Sequence, residues 1–148
     1  MKRSLQLQLI GLLWAVASCG GSSQMPTGSS STGSINVAGT YVGSIHVSDT
    51  TMGVTVVLSE SASGSLSGTA TMTNTSSCQV PSGPLPIVAG SVGGTTVGFT
   101  VDDQWTFQGN VTDVSGSSIQ GQFGFARPCT GLPFPLPPFP LTLMRQST

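Results

Sequence analysis

Few residues of this 148-residue chain can do chemistry, and they lie far apart. There are three cysteines (Cys19, Cys78, Cys129), one histidine (His46) and five carboxylates (Asp49, Glu60, Asp102, Asp103, Asp113). A cysteine can be acylated, oxidised to a disulfide or bound to a metal as thiolate. A zinc-type centre is disfavoured, because no Cys-x-x-Cys spacing occurs and one histidine cannot complete a ligand set. His46 and Asp49 stand three residues apart, but a hydrolytic site would also need a nucleophile and an oxyanion pocket in register. No nucleophile-elbow pattern, glycine-rich phosphate loop or carboxylate cluster accompanies them. His46 therefore reads as solvent-facing, and the chain as a non-enzyme without a cofactor. Asp102-Asp103 reads as a hairpin turn, since aspartate tolerates left-handed dihedrals.

Cys19 has the most informative surroundings. Lys2 and Arg3 make a positive head, Leu5 to Ala17 is mostly apolar, and small residues follow. That order is an export signal, and its apolar part is shorter than the roughly 20 residues of a spanning helix. Ala15-Val16-Ala17 would serve as an ordinary small-x-small cleavage site. Val16-Ala17-Ser18-Cys19 resembles the lipobox of bacterial lipoproteins: an aliphatic residue, two small residues, then cysteine. The resemblance implies cleavage before Cys19, a diacylglyceryl thioether on its sulfur and amide acylation, so the membrane is a partner through that lipid. Several acyl chains, at about 0.8 kcal/mol per buried CH₂, anchor stably where one does not. Gly20 stands where the family's inner-membrane retention signal has Asp, which favours an outer-membrane address. With Cys19 lipidated in an oxidising compartment, Cys78 and Cys129 are left to form a disulfide.

The chain thus divides into a signal peptide (1–18), a lipidated cysteine with a tether (19–34) and a domain (35–148). The tether is almost wholly Gly, Ser and Thr, has nothing to bury, and would span on the order of 20 Å at about 5–6 Å × √n. Beyond residue 18 the only strong bases are Arg127 and Arg145, against five carboxylates, and there is no lysine. Such a surface cannot make the phosphate contacts of nucleic-acid binding. Charged residues are 6% of the chain against a usual value of about 25%, so Ser, Thr and Gly carry the polarity.

These residues must be positioned by strands. From Gly39 onward apolar residues recur at every second place, the strand period, and no segment has helical spacing. One face collects Tyr41, Ile45, Met52, Val54, Val56, Leu66, Met72, Val88, Val92, Val97, Phe99, Trp105, Phe107, Ile119, Phe123, Phe125, Leu141 and Leu143. Alternate positions are mostly Ser, Thr and Gln. The turn signals Ser61 to Gly64, Gly93-Gly94, Asp102-Asp103 and Asp113 to Gly116 make neighbouring strands antiparallel. Eight strands in sequence order close into an all-β, up-and-down meander barrel without a free edge; a two-sheet β-sandwich is the alternative. A membrane-spanning barrel is disfavoured, because the strands look shorter than about 9–11 residues and the polar face carries Ser, Thr and Gly.

Leu66 to Met72 matches Ile119 to Phe125, and each is followed by a cysteine and, six residues later, by Pro-Leu-Pro. This pattern reads as two four-strand halves whose cysteine loops leave the same end of the barrel. Joined by Cys78–Cys129, those loops would make a stapled lid, stiffened by the proline-rich Gly131 to Pro140, which could otherwise be an exposed partner-binding stretch. Gly43, Gly68, Gly90, Gly109 and Gly121 fall mid-strand on the apolar face, either for strand coiling or to leave ligand space. Tyr41, Phe99, Trp105, Phe107, Phe123 and Phe125 would fill that space or line it.

Gly39-Thr40-Tyr41 and Leu66-Ser67-Gly68-Thr69 resemble strands of avidin and lipocalin-like barrels. The polar set and several tryptophans of a biotin site have no counterpart, so no such activity follows. The expectation is a lipid-anchored, non-catalytic envelope barrel that binds or packs against an envelope protein. The alternatives are a carrier of a small apolar ligand and, less favoured, an enzyme.

Overall fold

The computed structural model describes residues 35–75 and 78–147. The signal segment, Cys19 and the tether lie outside them. Eight strands follow: β1 (Gly39–Val47), β2 (Thr50–Glu60), β3 (Leu66–Thr73), β4 (Leu85–Gly93), β5 (Thr96–Val101), β6 (Trp105–Val111), β7 (Ser118–Phe125) and β8 (Phe139–Arg145). Each pairs antiparallel with the next and β8 returns to β1, so the meander closes as a barrel and not a sandwich. The cause is the two-residue period. It turns one row of side chains inward on every strand, and closure buries that row while removing both edges.

In β6 the alternation is unbroken, with Trp105, Phe107, Gly109 and Val111 inside and Thr106, Gln108 and Asn110 outside. In β4 it is not. Ile87 pairs with Val101 but Ala89 pairs with Thr100, so one extra residue bulges from the ladder. The expectation of Val88 on the inner face is therefore corrected: it is exposed, and Leu85 and Ile87 are buried instead. The bulge resets the phase, which returns Val92 to a half-buried place against the core.

Strand lengths also need correction. β1, β2 and β4 have 9, 11 and 9 residues and reach the spanning range; the others do not. The outer wall distinguishes the barrel better than strand length. It carries hydroxyls and amides such as Thr55, Thr71, Thr100, Gln108 and Gln122, where contact with lipid would need an apolar band.

The mid-strand glycines bring backbones close. A Cβ on Gly121 would overlap the Gln108 carbonyl oxygen and lie 2.5 Å from Gly109 Cα. On Gly109 it would lie 2.5 Å from Gln120 O and 2.8 Å from the Phe107 ring tip. These glycines coil the strands, and neighbouring side chains take up the room. Asp102 and Asp103 both have positive φ, 48° and 53°, at the centre of the β-turn that Gln104 N closes onto Val101 O, within a three-residue connection from β5 to β6.

Strand directions sort the loops into two rims. The segment 35–38, the β2–β3, β4–β5 and β6–β7 loops and the C-terminus share one rim. The β1–β2, β3–β4, β5–β6 and β7–β8 loops share the other.

Candidate functional site

The second rim carries the cysteines. Cys78 follows β3, Cys129 follows β7, and they form a disulfide across 51 residues of sequence. Loops from opposite walls thus meet over the mouth. Cys78 and Cys129 are buried with Val80, and Leu132 and Leu136 press partly into the core. Thr75 Oγ1 donates to Val80 O at 3.3 Å and Leu132 N to Cys129 O at 3.2 Å, fixing each loop beside its cysteine. The prolines at 133, 135, 137 and 138 face outward with Phe134, which is 55% exposed. The Pro-Leu-Pro repeat is not equivalent in space. Leu85 is buried in β4 opposite Ala70, whereas Leu136 lies in the loop ahead of β8.

Beneath the lid, all six aromatic residues singled out from the sequence point inward. Trp105, Tyr41, Phe107 and Phe123 are essentially without exposure, and Phe99 and Phe125 are buried. Phe99 stacks on Phe107 at 4.9 Å between centroids. Phe125 meets Phe123 and Phe139 edge-on at 5.2 and 5.5 Å. Offset and edge contacts of this kind add about 0.5–1.5 kcal/mol per pair to the area they bury. The rings occupy the interior of the barrel. Concavities of about 320–520 Å³ occur on the outer wall, one between Thr100, Thr106 and Gln108 and another between Val42, Thr142 and Met144.

Among the described residues, Trp105 Nε1 and Gln104 Oε1 are buried without a protein hydrogen-bond partner, on residues where the β5–β6 connection meets β6. Leaving such an atom unmet costs about 1–3 kcal/mol. At the other rim Tyr41 and Arg145 carry a dense set of hydrogen bonds. Tyr41 OH donates to Gly116 O at 2.7 Å and accepts from Arg145 Nε and Nη2 at 3.1 and 2.8 Å. Arg145 also reaches Ser115 O at 3.2 Å and Asn36 O at 2.6 Å, so one guanidinium joins the entering chain, the β6–β7 loop and β8. Burial pushes the Tyr41 phenol up, and the hydrogen bond and charge of Arg145 oppose it. Val37 is buried at this rim, and its N–H donates to Glu60 Oε2 at 2.8 Å.

Asp113 organises the β6–β7 loop. Its carboxylate accepts from Ser115 N, Ser117 N, Ser118 N and the hydroxyls of Ser115 and Ser117. The Ser115 hydroxyl, followed by the Ser117 amide, holds its carboxyl far below the usual carboxylate range. Reading the sequence did not identify this rim. The spacing Asp113-x-Ser115-x-Ser117-Ser118 was a usable signal for a side-chain-capped turn. Arg145 carried none beyond being one of two late cations, because its partners come from three distant segments. His46 is exposed on the outer wall, and its Nδ1 lies 3.0 Å from Thr51 Oγ1, away from any pairing with Asp49. Among the described residues no three of His, Cys, Asp and Glu converge as a metal ligand set. Compared with known proteins, the chain matches no family model, no curated protein and no solved structure.

Proposed function

We propose that this chain is a lipid-anchored protein of the bacterial cell envelope, a closed barrel held on a short tether and acting by non-catalytic binding or packing. The carrying observation is the order of segments. Val16-Ala17-Ser18-Cys19 ends an export-like head, fifteen residues of mostly Gly, Ser and Thr follow, and the chain then enters a disulfide-bridged barrel. A disulfide suits an exported protein, since thiols stay reduced in the cytosol. Binding through the outer wall and lid is preferred to carriage inside, because Trp105, Tyr41, Phe107 and Phe123 occupy the interior. A carrier of an apolar ligand would need those rings to make room.

Intact mass and detergent partition of protein expressed with its own leader in a diderm bacterium test the anchor. The expected species begins at Cys19, carries a diacylglyceryl adduct and enters the detergent phase, and Cys19→Ser moves it to the aqueous phase. An unmodified N-terminus at Cys19 or Ser18 would remove the anchor from this reading.

A further inference from the structure

The ladders of the barrel are uneven, and two of them stop short of the mouth that Cys78–Cys129 bridges. Between β1 and β8 the pairs are Tyr41–Arg145 and Val42–Met144, extended by Gln146 N donating to Thr40 O at 2.8 Å. Ser44 to Val47 then run on to the bridged mouth paired with β2 alone. Between β3 and β4 the ladder ends at Ala70–Leu85, and Thr71 to Thr73 pair with β2 alone. At the opposite rim this second seam is closed by the Ser65–Ser91 pair and by Val92 N donating to Gly64 O at 2.8 Å. The other ladders hold as far as the bridged mouth: Val47 pairs with Thr50, Gly53 with Thr73, Val101 with Ile87 and Trp105, Trp105 with Phe125, and Phe123 with Phe139.

The barrel is thus two sheets, β1–β3 and β4–β8, pinned to each other near the Tyr41–Arg145 rim; among the described residues no ladder joins them at the bridged mouth. Side chains seal the β1–β8 seam instead. A Cβ on Gly43 would lie 2.7 Å from Leu141 Cδ1 and 3.3 Å from Leu143 Cδ2. Apolar contact is non-directional, so it closes a seam without fixing it as a ladder does. Cys78 follows β3 in the first sheet and Cys129 follows β7 in the second, so the disulfide ties the sheets together where their ladders are missing.

We propose that the barrel is a hinge latched by Cys78–Cys129, and that a dithiol reductant opens the bridged mouth by letting β1–β3 swing from β4–β8 about the Tyr41–Arg145 rim. The dithiol gives up two electrons and two protons and leaves as a cyclic disulfide, while Cys78 and Cys129 become thiols. Opening exposes Ile45 and Met52 on one sheet and Trp105 on the other, all wholly buried in the closed barrel. It gives an apolar molecule the room that the closed interior denies, and it does not depend on lipidation of the chain.

Methyl nuclear magnetic resonance on the full-length protein, with a soluble gadolinium chelate as the probe, tests this. The methyls of Ile45 and Met52 report the bridged end, and those of Ile119 the opposite end. With dithiothreitol, the chelate should relax Ile45 and Met52 several-fold faster while Ile119 and the far-ultraviolet dichroism hold. Cys78→Ala combined with Cys129→Ala should do the same without reductant. A disulfide that the dithiol leaves intact in the folded protein would overturn the switch. Ile45 and Met52 as protected in the folded double variant as in the parent would overturn the latch. An equal rise at Ile119 means general loosening, and loss of the β-sheet dichroism means that the disulfide holds the fold itself; either result also overturns the proposal.

Discussion

Asp113 turns a loop into a small acid-sensitive latch. Its carboxylate holds five donors from Ser115, Ser117 and Ser118, and its pKa is lowered from the ordinary 3.8. A lowered folded-state pKa means the carboxylate stabilises fully above the unfolded value and progressively less as pH falls through the folded one. Thermal unfolding of the parent should therefore weaken below about pH 4. Asp113→Asn should melt lower at neutral pH and show a smaller further loss in acid; identical acid slopes would refute the latch. Tyr41 lends itself to a complementary test. Tyr41→Phe leaves Gly116 O and two Arg145 nitrogens without the hydroxyl they share, and denaturant unfolding should show a loss of about 1–3 kcal/mol.

Among the strands, the glycines divide by what lies beside them. Gly121→Ala drives a methyl into the backbone of β6, where no side chain can swing away, and should cost about 3 kcal/mol or more. Gly98→Ala is the control, because its Cβ would meet nothing nearer than Phe107 O at 3.7 Å. It should raise stability by about 0.4–1 kcal/mol through the unfolded chain, read by the same denaturation. The strand period was legible in the sequence because burial on one face leaves a two-residue rhythm, as in Trp105 to Val111. Val88 was misplaced because a bulge shows only against its partner strand: Val101 and Thr100 define the extra residue. Arg145 was illegible for a related reason, since its meaning depends on Asn36, Tyr41 and Ser115 arriving together. The lid loops were legible as far as the cysteines, but the matching Pro-Leu-Pro motifs end in different structures.

For the whole molecule, the disulfide is the long-range constraint. It closes 51 residues of chain between opposite walls, which corresponds to about 4 kcal/mol by loop-closure entropy. Replacing Cys78 and Cys129 together by alanine should lower unfolding stability by about 2–4 kcal/mol. The closed meander should keep its far-ultraviolet dichroism, because the ladders do not pass through the lid. Loss of all β-structure in that variant would mean the bridge directs folding rather than trimming it.

The chain enters and leaves by one rim, where Asn36 and Arg145 touch, and the bridged loops cap the other. A fusion to either end of the barrel therefore loads the rim that Tyr41 and Arg145 hold, and leaves the proline-bearing loops of the bridged mouth free.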